Sequence, residues 1–523
     1  MAYDILIKSG TVIDGIGVAP VAADVAISEE QISAIGDLKN SEAKIIINAL
    51  GKYITPGFID ITNHSDTHLT VFKYPGLESM VMQGVTTIVG GNCGASLAPL
   101  GNPGAIQAIR KWANPEEISI NLATMEEYLS NIQNLKPETN YGTFVGYGTL
   151  RRGVIGDEIR LLSLAEREQV KFLFRKAMDD GAFGLSLGLA YGHERISTTE
   201  EIIDIAKILE ITGGVLKIHL RSEGFEILSS INEAIRIARE VQVPVQVSHI
   251  KAIGRKAWKS FHKGLELIAN AKASGIKIDF DVSPYRTTGS PLYLLLPGWA
   301  RGGGFSALFK KIGDPTERKK IIEALGAQTL HYNKFLITSA KTKGIVGRTL
   351  AEVAEEGGLS PEEAFLQTLV ANEGRVSIIG QTLTMKNTRL AMQDKNSFIA
   401  SDGFGSSQDA GRSGDLIHPR SFGAFPRFLA KFASELGLSI SDAIKKISSG
   451  PAEKLGIKNR GVLKKGNYAD LVIFDPKLIK DRATYKSPYR YPSGMEWVFV
   501  NGHVAVEQGR YIGARAGKVL ERT

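Results

Sequence analysis

Apolar and polar positions follow two different rhythms along this chain. From residue 3 to 48 they alternate in short runs, YDILIKSG, ADVAISEEQISAIG and AKIIINA, broken by Gly, Asn and Ser. That two-residue period is the signature of half-buried strands joined by tight turns. The same texture returns only after about 458, in GVLKKGNYADLVIFD and MEWVFVNGHVAVEQG, where Asn501-Gly502 is a two-residue hairpin turn. Neither end is large enough for a core of its own, so 1–55 and 458–523 are expected to combine into one small β-sandwich domain.

The middle, 56–457, alternates short apolar strands (TTIVGG, GVLKIHL, VPVQVSHI, IKIDFDVSP, NSFIASDG) with amphipathic helices. Capping boxes mark several helix starts: Thr124 with Glu127, Ser163 with Glu166, Thr198 with Glu201, and Ser360-Pro361 with Glu363. Strand followed by helix, repeated, predicts the α/β class with a parallel sheet. The number and spacing of the strands favour a (β/α)8 TIM-like barrel over a doubly wound sheet. About 400 residues exceed the roughly 250 of an ordinary barrel, so an insertion is required. The Gly/Pro/Leu-rich stretch beginning TTGSPLYLLLPGWARGGG, about 287–343, is the expected lid over the mouth, with a surface excursion as the plainer alternative.

Composition narrows the class further. With 523 residues, 43% apolar and 23% charged, the chain is neither disordered, collagenous nor a disulfide scaffold. The net charge of +8 is spread without a basic tract, so no nucleic-acid partner is expected. A single cysteine gives no sign of an oxidising compartment, and no apolar run nears 18 residues, so a cytoplasmic protein without a membrane partner is expected. The glycines of GWARGGG lack the GxxxxGK[ST] pattern of a phosphate loop. KFLFRK, 171–176, lies in a capped amphipathic helix as core plus solvated face.

Four residues with useful chemistry stand where strands end: Cys93 after TTIVGGN, His219 closing VLKIH, His249 closing VQVSH and Asp402 closing FIASD. In a barrel all four would face the C-terminal mouth. A thiolate and two imidazoles make a three-ligand zinc set with an open fourth position. Zinc there would acidify a water and polarise a carbonyl, leaving Asp402 as general base. Each residue singly has a plainer reading, as a small buried apolar Cys or a His bonded to a carbonyl; the repeated strand-end placement shifts the balance.

Longer motifs add a family. PGFID at 56–60 leading into TNHSD resembles the first-strand motif of the amidohydrolase superfamily. GNCG at 91–94, HLRSE at 219–223, SHIK at 248–251, SDG at 401–403 and HPRSFGAFPRFL at 418–429 resemble the N-acyl-D-amino-acid deacylase (D-aminoacylase) family, as does the return GPAEKLGIKNRGVLKKGNYADLVIFDP. The resemblance implies one zinc per chain held by Cys93, His219 and His249, Asp402 as acid/base, and hydrolysis of the amide of an N-acyl-D-amino acid. It also implies Lys251, Tyr285 and Ser290 as contacts for the substrate carboxylate. One departure stands out: the His-x-His of the family's first strand reads Thr62-Asn63-His64 here. A Thr hydroxyl is a poor zinc ligand, which argues for a mononuclear site, with His64 free to bond a tetrahedral oxyanion; a barrel-floor His held by a neighbour is its plainer reading. His68 is out of register to replace the missing ligand. Arg221 is expected to pair with Glu223 or another acid, Arg286 to bind the substrate through an acidic side chain or else to be solvated, and His418 and Arg420 to support the Asp402 loop. Two other readings remain: a metal enzyme for a cyclic amide or natural-product precursor, by hydrolysis or dehydration and cyclisation, and a non-catalytic binding relative. Oligomeric state is not encoded in any feature read here.

Overall fold

The computed structural model describes residues 2–110, 112–114, 116, 122–302, 304–328 and 330–522. Both chain ends meet in one nine-stranded sheet. Strand Tyr3–Val12 pairs antiparallel with Val21–Ser28 and in parallel first with Ala43–Asn48, then with Tyr53–Pro56. The partner changes beside a bulge between Ile7 and Gly10, where Ser9 is left-handed and a Cβ on Gly10 would lie 2.3 Å from Ile54. Tyr53–Pro56 receives the C-terminal half through Leu471–Phe474, with Ile54 opposite Ile473. The hairpin Met495–Val500/His503–Glu507 turns at Asn501 and Gly502, both left-handed as expected. The two layers of the expected sandwich are thus joined in one hydrogen-bonded sheet. Its bulges let it curl until Ile5, Ile7, Val25, Ile27, Leu471, Ile473 and Phe499 share a single core.

Two parallel sheets carry the middle of the chain. Phe58–Asp60, Val85–Gly90 and Asn140–Thr143 pair in chain order. So do Val145–Gly146, Gly184–Gly188, Val215–His219, Val245–Val247, Ile278–Val282 and Ser397–Ile399. Only Phe144 separates the two sets; its amide donates to the Gly90 carbonyl and the Phe183 amide to that of Thr143. At the other edge Asp60 accepts from the Ser401 amide (2.9 Å) and hydroxyl (2.5 Å), tying the last strand to the first. These strands are covered on both faces, which is why they read as apolar runs rather than alternating ones.

The excursion expected over about 287–343 runs on to Gly380; positions 303 and 329 lie outside the described residues. Thr288–Pro291, Phe335–Ala340 and Val376–Gly380 form a three-stranded antiparallel sheet with its own helices. Leu292, Leu308, Phe335, Leu366 and Ile378 belong to its core, which reaches Cys93 and Tyr191 at the mouth. Two of the four expected capping boxes close reciprocally, at Thr124 and Ser163. In the other two only the cap hydroxyl acts, because Glu201 turns to buried Arg151 and Glu363 to Arg318. Among the described residues no helix is long and apolar enough to cross a membrane.

Candidate active site

Three of the chemical side chains sit on turns that their surroundings enforce, while His219 ends the strand Val215–His219. Cys93, His249 and Asp402 all have left-handed backbones, with φ of 55°, 36° and 54°. Non-glycine residues hold that conformation only where the surroundings enforce it. For Cys93 the enforcement is the GNCG turn: Asn92 Nδ2 donates to the carbonyls of Asn63 (2.9 Å) and Val89 (2.8 Å). A Cβ on Gly94 would lie 1.8 Å from Glu194 Oε1. For His249 it is Asp281, whose Oδ1 accepts the His249 amide at 2.8 Å. For Asp402 it is the Ser401–Asp60 bonds together with two backbone bonds to the first strand, Asp402 amide to Thr62 carbonyl and His64 amide to Gly403 carbonyl.

These turns bring Cys93, His219 and His249 together, with one ligand atom from each within 4.8 Å of the others. Cys93 Sγ is 3.2 Å from His249 Nε2. His219 Nδ1 is buried with no hydrogen-bond partner among the described residues. Burial opposes ionisation of the Cys93 thiol, but His249 and hydrogen bonding by His219, His249 and His64 hold it well below the usual thiol range. His64 Nε2 bridges Cys93 Sγ (3.9 Å) and Asp402 Oδ1 (3.3 Å). Burial alone would depress His64; the bonds to Asp402 and Cys93 outweigh it and raise it to about 9. Asp402, against the cost of its burial, is held well below the carboxylate range by Arg420, His249 and His64. Arg420 Nη1 lies 2.5 Å from Asp402 Oδ2.

Glu223, expected only as a partner for Arg221, organises the outer side of this cluster. Its Oε1 is 3.2 Å from His249 Nδ1 and 2.7 Å from Lys251 Nζ, so it orients the imidazole with Nε2 toward Cys93. The motif HLRSE contained it, but its nearest arginine goes elsewhere: Arg221 pairs with Glu233 at 2.8 Å. His418 accepts the Arg420 amide at Nδ1 and meets Thr287 Oγ1 at 2.7 Å through Nε2, which makes it a brace for Arg420. Arg427 lies 4.7 Å over the Tyr285 ring.

The cluster opens into a cavity of about 700 Å³ lined by His64, Cys93, His219, Lys251, Ser290 and Asp402. A small side cavity of about 30 Å³ joins Lys251, Tyr285, Asp402 and Arg420. The buried Tyr285 hydroxyl has no partner among the described residues. Arg286 is exposed and lines neither cavity, whereas the neighbouring Tyr285 is buried. His68 lines the main cavity, stacked on Phe404 at 4.2 Å.

The chain is 31% identical to D-aminoacylase from Alcaligenes xylosoxydans xylosoxydans, across all of its own length and 98% of that protein's. It belongs to this family of amidohydrolases. The amidohydrolase family model itself matches residues 347–505. A solved D-aminoacylase, described for a binuclear metal centre with one-metal activation and second-metal attenuation, superposes with a TM-score of 0.83 at 31% identity, covering 99% of this chain and all of the other. N-acyl-D-glutamate deacylase from Bordetella bronchiseptica, complexed with zinc and a phosphonate that mimics the tetrahedral intermediate, superposes at 0.84 with 26% identity and full coverage of both chains. This amidohydrolase therefore shares its α/β fold with those deacylases from end to end.

Proposed function

We propose that the protein is a zinc-dependent hydrolase of the amide bond in N-acyl-D-amino acids, with one zinc per chain and its site at the mouth of a closed (β/α)8 barrel. The carrying observation is the convergence of Cys93, His219 and His249, with an orphaned imidazole nitrogen on His219 and a depressed thiol on Cys93. A soft thiolate and two imidazoles suit zinc, and three protein ligands leave a position open. When bound, zinc supplies Lewis acidity toward a carbonyl and an acidified water. The Asp60–Ser401 bonds between first and last strands support closure of the barrel.

The chain's own residues do the rest. Asp402 accepts the proton of the attacking water and delivers it to the departing nitrogen, giving a carboxylic acid and a free amino acid. Arg420 keeps that carboxylate ionised and aimed. His64, beside Asp402, donates toward charge developing on the acyl oxygen. The unpartnered Tyr285 hydroxyl, with Lys251 and Arg420, fits a substrate carboxylate in the side cavity, and Ser290 lies at its approach. Lys251 is also held by Glu223 and by the ring and carbonyl of His249, so it offers the anion its charge from a fixed position. The reduced lone thiolate fits a cytoplasmic setting.

Zinc-loaded protein is expected to release acid and amino acid from N-acyl-D-amino acids and not from their L antipodes. Cys93→Ser is expected to lose both zinc, read by plasma mass spectrometry, and turnover. Protein that holds its zinc yet releases nothing from any N-acyl-D-amino acid would overturn the proposal.

A further inference from the structure

The residue that replaces the missing first-strand histidine is not idle. Thr62 is fully buried, and its hydroxyl is committed on both sides: it donates to Asp281 Oδ2 at 3.0 Å and accepts from Lys217 Nζ at 2.6 Å. Lys217 projects from the Val215–His219 strand two positions before His219, and is itself completely buried. Its amino group also donates to the Ile61 carbonyl at 2.7 Å, lies 3.9 Å from Asp281 Oδ2 and rests 5.4 Å over the Phe144 ring. Asp281 closes the set, accepting Gln246 Nε2 at 2.5 Å and the backbone amide of His249 at 2.8 Å. A lysine and an aspartate are thus buried directly against Thr62.

The donor set does not fit the second ion of a binuclear centre. The Thr62 hydroxyl, a weak metal ligand beside imidazole, is already engaged by Asp281 and the Lys217 ammonium, and His64 is bonded to Asp402. Among the described residues the only cluster that could hold a metal is Cys93, His219 and His249. We propose that Lys217 stands in for a second ion: its amino group, held through Thr62 and Asp281 at the position of the missing first-strand histidine, excludes a second divalent ion and keeps the centre mononuclear. The same network makes it a positioning residue, because Asp281 holds both Lys217 and the left-handed backbone of His249. An ion forcing Lys217 aside would disturb the geometry of a ligand to the first. By this arrangement the attenuation described for the second metal of D-aminoacylase is designed out of this chain.

The inference rests on the zinc reading above, and one titration separates the two. Protein stripped of metal is equilibrated with zinc at increasing free concentration, and bound zinc per chain is counted by plasma mass spectrometry after rapid desalting. The wild type is expected to saturate at about one equivalent and to stay there in excess zinc. Thr62→His alone is expected to remain at one, because Lys217 still fills the space; Lys217→Met combined with Thr62→His is expected to saturate at two. If the double variant does not fold, Lys217→Gln with Thr62→His, which retains a hydrogen-bonding side chain, takes its place with the same expectation. A wild type at two equivalents would overturn the role of Lys217 and leave the first site standing. So would a second equivalent in Thr62→His alone, or a folded double variant at one. A wild type at zero would overturn the zinc reading and this inference with it.

Discussion

The proton transfer proposed for Asp402 depends on an ionised state that Arg420, His249 and His64 hold in place. Arg420 and His64 lie against opposite oxygens, and the backbone turn that carries the carboxylate is bonded to the first strand. Asp402→Asn keeps the shape but cannot accept a proton. We expect kcat to fall by about 10²–10⁴-fold, the ordinary worth of a positioned acid/base, while zinc content, read by plasma mass spectrometry, stays unchanged. A variant that lost its zinc in parallel would instead make Asp402 a ligand. The residues with distinctive chemistry were legible in the sequence because each closes an apolar strand: Cys93, His219, His249 and Asp402 converge as that placement implied. Their supports were not. Glu223 reads in sequence only as a partner for Arg221 and Lys217 carries no signal of its own, since nothing local shows that the fold buries them beside His249 and Thr62. Arg286, beside Tyr285, is exposed, the second of its two expected settings.

Strands that carry ligands are held by side chains far from the cavity. Lys446, after the helix Ile440–Lys445, donates to the carbonyls of Asp394 (2.5 Å) and Ser397 (3.1 Å) and to the Ser397 hydroxyl (2.8 Å), pinning the start of the strand that leads to Asp402. Burial lowers its ammonium from 10.5 to about 8, against the pull of Asp394 and Asp442. Between those values the folded chain has released a proton that the unfolded chain still binds, so this group makes stability rise with pH; below about 8 both states are protonated and it contributes no slope. Lys446→Met should lower the denaturant midpoint, since it strands three acceptors at a cost of about 1–3 kcal/mol for an unsatisfied buried group. It should also flatten the rise in midpoint that the wild type shows between pH 8 and pH 10. An unchanged slope would separate Lys446 from that titration. Helix starts and the longer apolar strands were readable at this scale. Gly184–Gly188 was not, because both its ends must be glycine: a Cβ on Gly184 would lie 1.9 Å from the Val215 carbonyl oxygen, and one on Gly188 2.2 Å from that of Cys93. Close approach of neighbours removed the β-branched signal that marks a strand. The excursion was misjudged in length because Val376–Gly380 reads like any short core strand and its antiparallel partners are distant in sequence.

Over the whole molecule, the sequence showed that the two ends combine, but not that they curl into one sheet, because a bulge such as that at Ser9 carries no strong local signature. Nor did it show that the tail leaves this sheet to clasp the parallel strands. The Gly517 amide donates to the Pro137 carbonyl, and Tyr141 trades backbone bonds with Lys518 and Leu520. Asn140 and Asn501 bridge the two bodies beside it at 2.8 Å. A Cβ on Gly517 would stand 2.1 Å from the Thr139 carbonyl oxygen, a backbone atom that cannot step aside. Gly517→Ala should therefore cost about 1–3 kcal/mol, as overpacking does, and lower the chemical-denaturation midpoint without altering zinc stoichiometry. A midpoint equal to wild type would show that the clasp yields freely. The pairing of Ile54 with Ile473 also sets a clock. At 5–20 residues per second the ribosome needs roughly 20–80 s to travel from one to the other. Throughout that interval strand Tyr53–Pro56 presents an open edge, so the first segment synthesised is among the last to be finished, and a nascent chain stalled short of its final hundred residues offers that edge to any chaperone or sister chain that meets it.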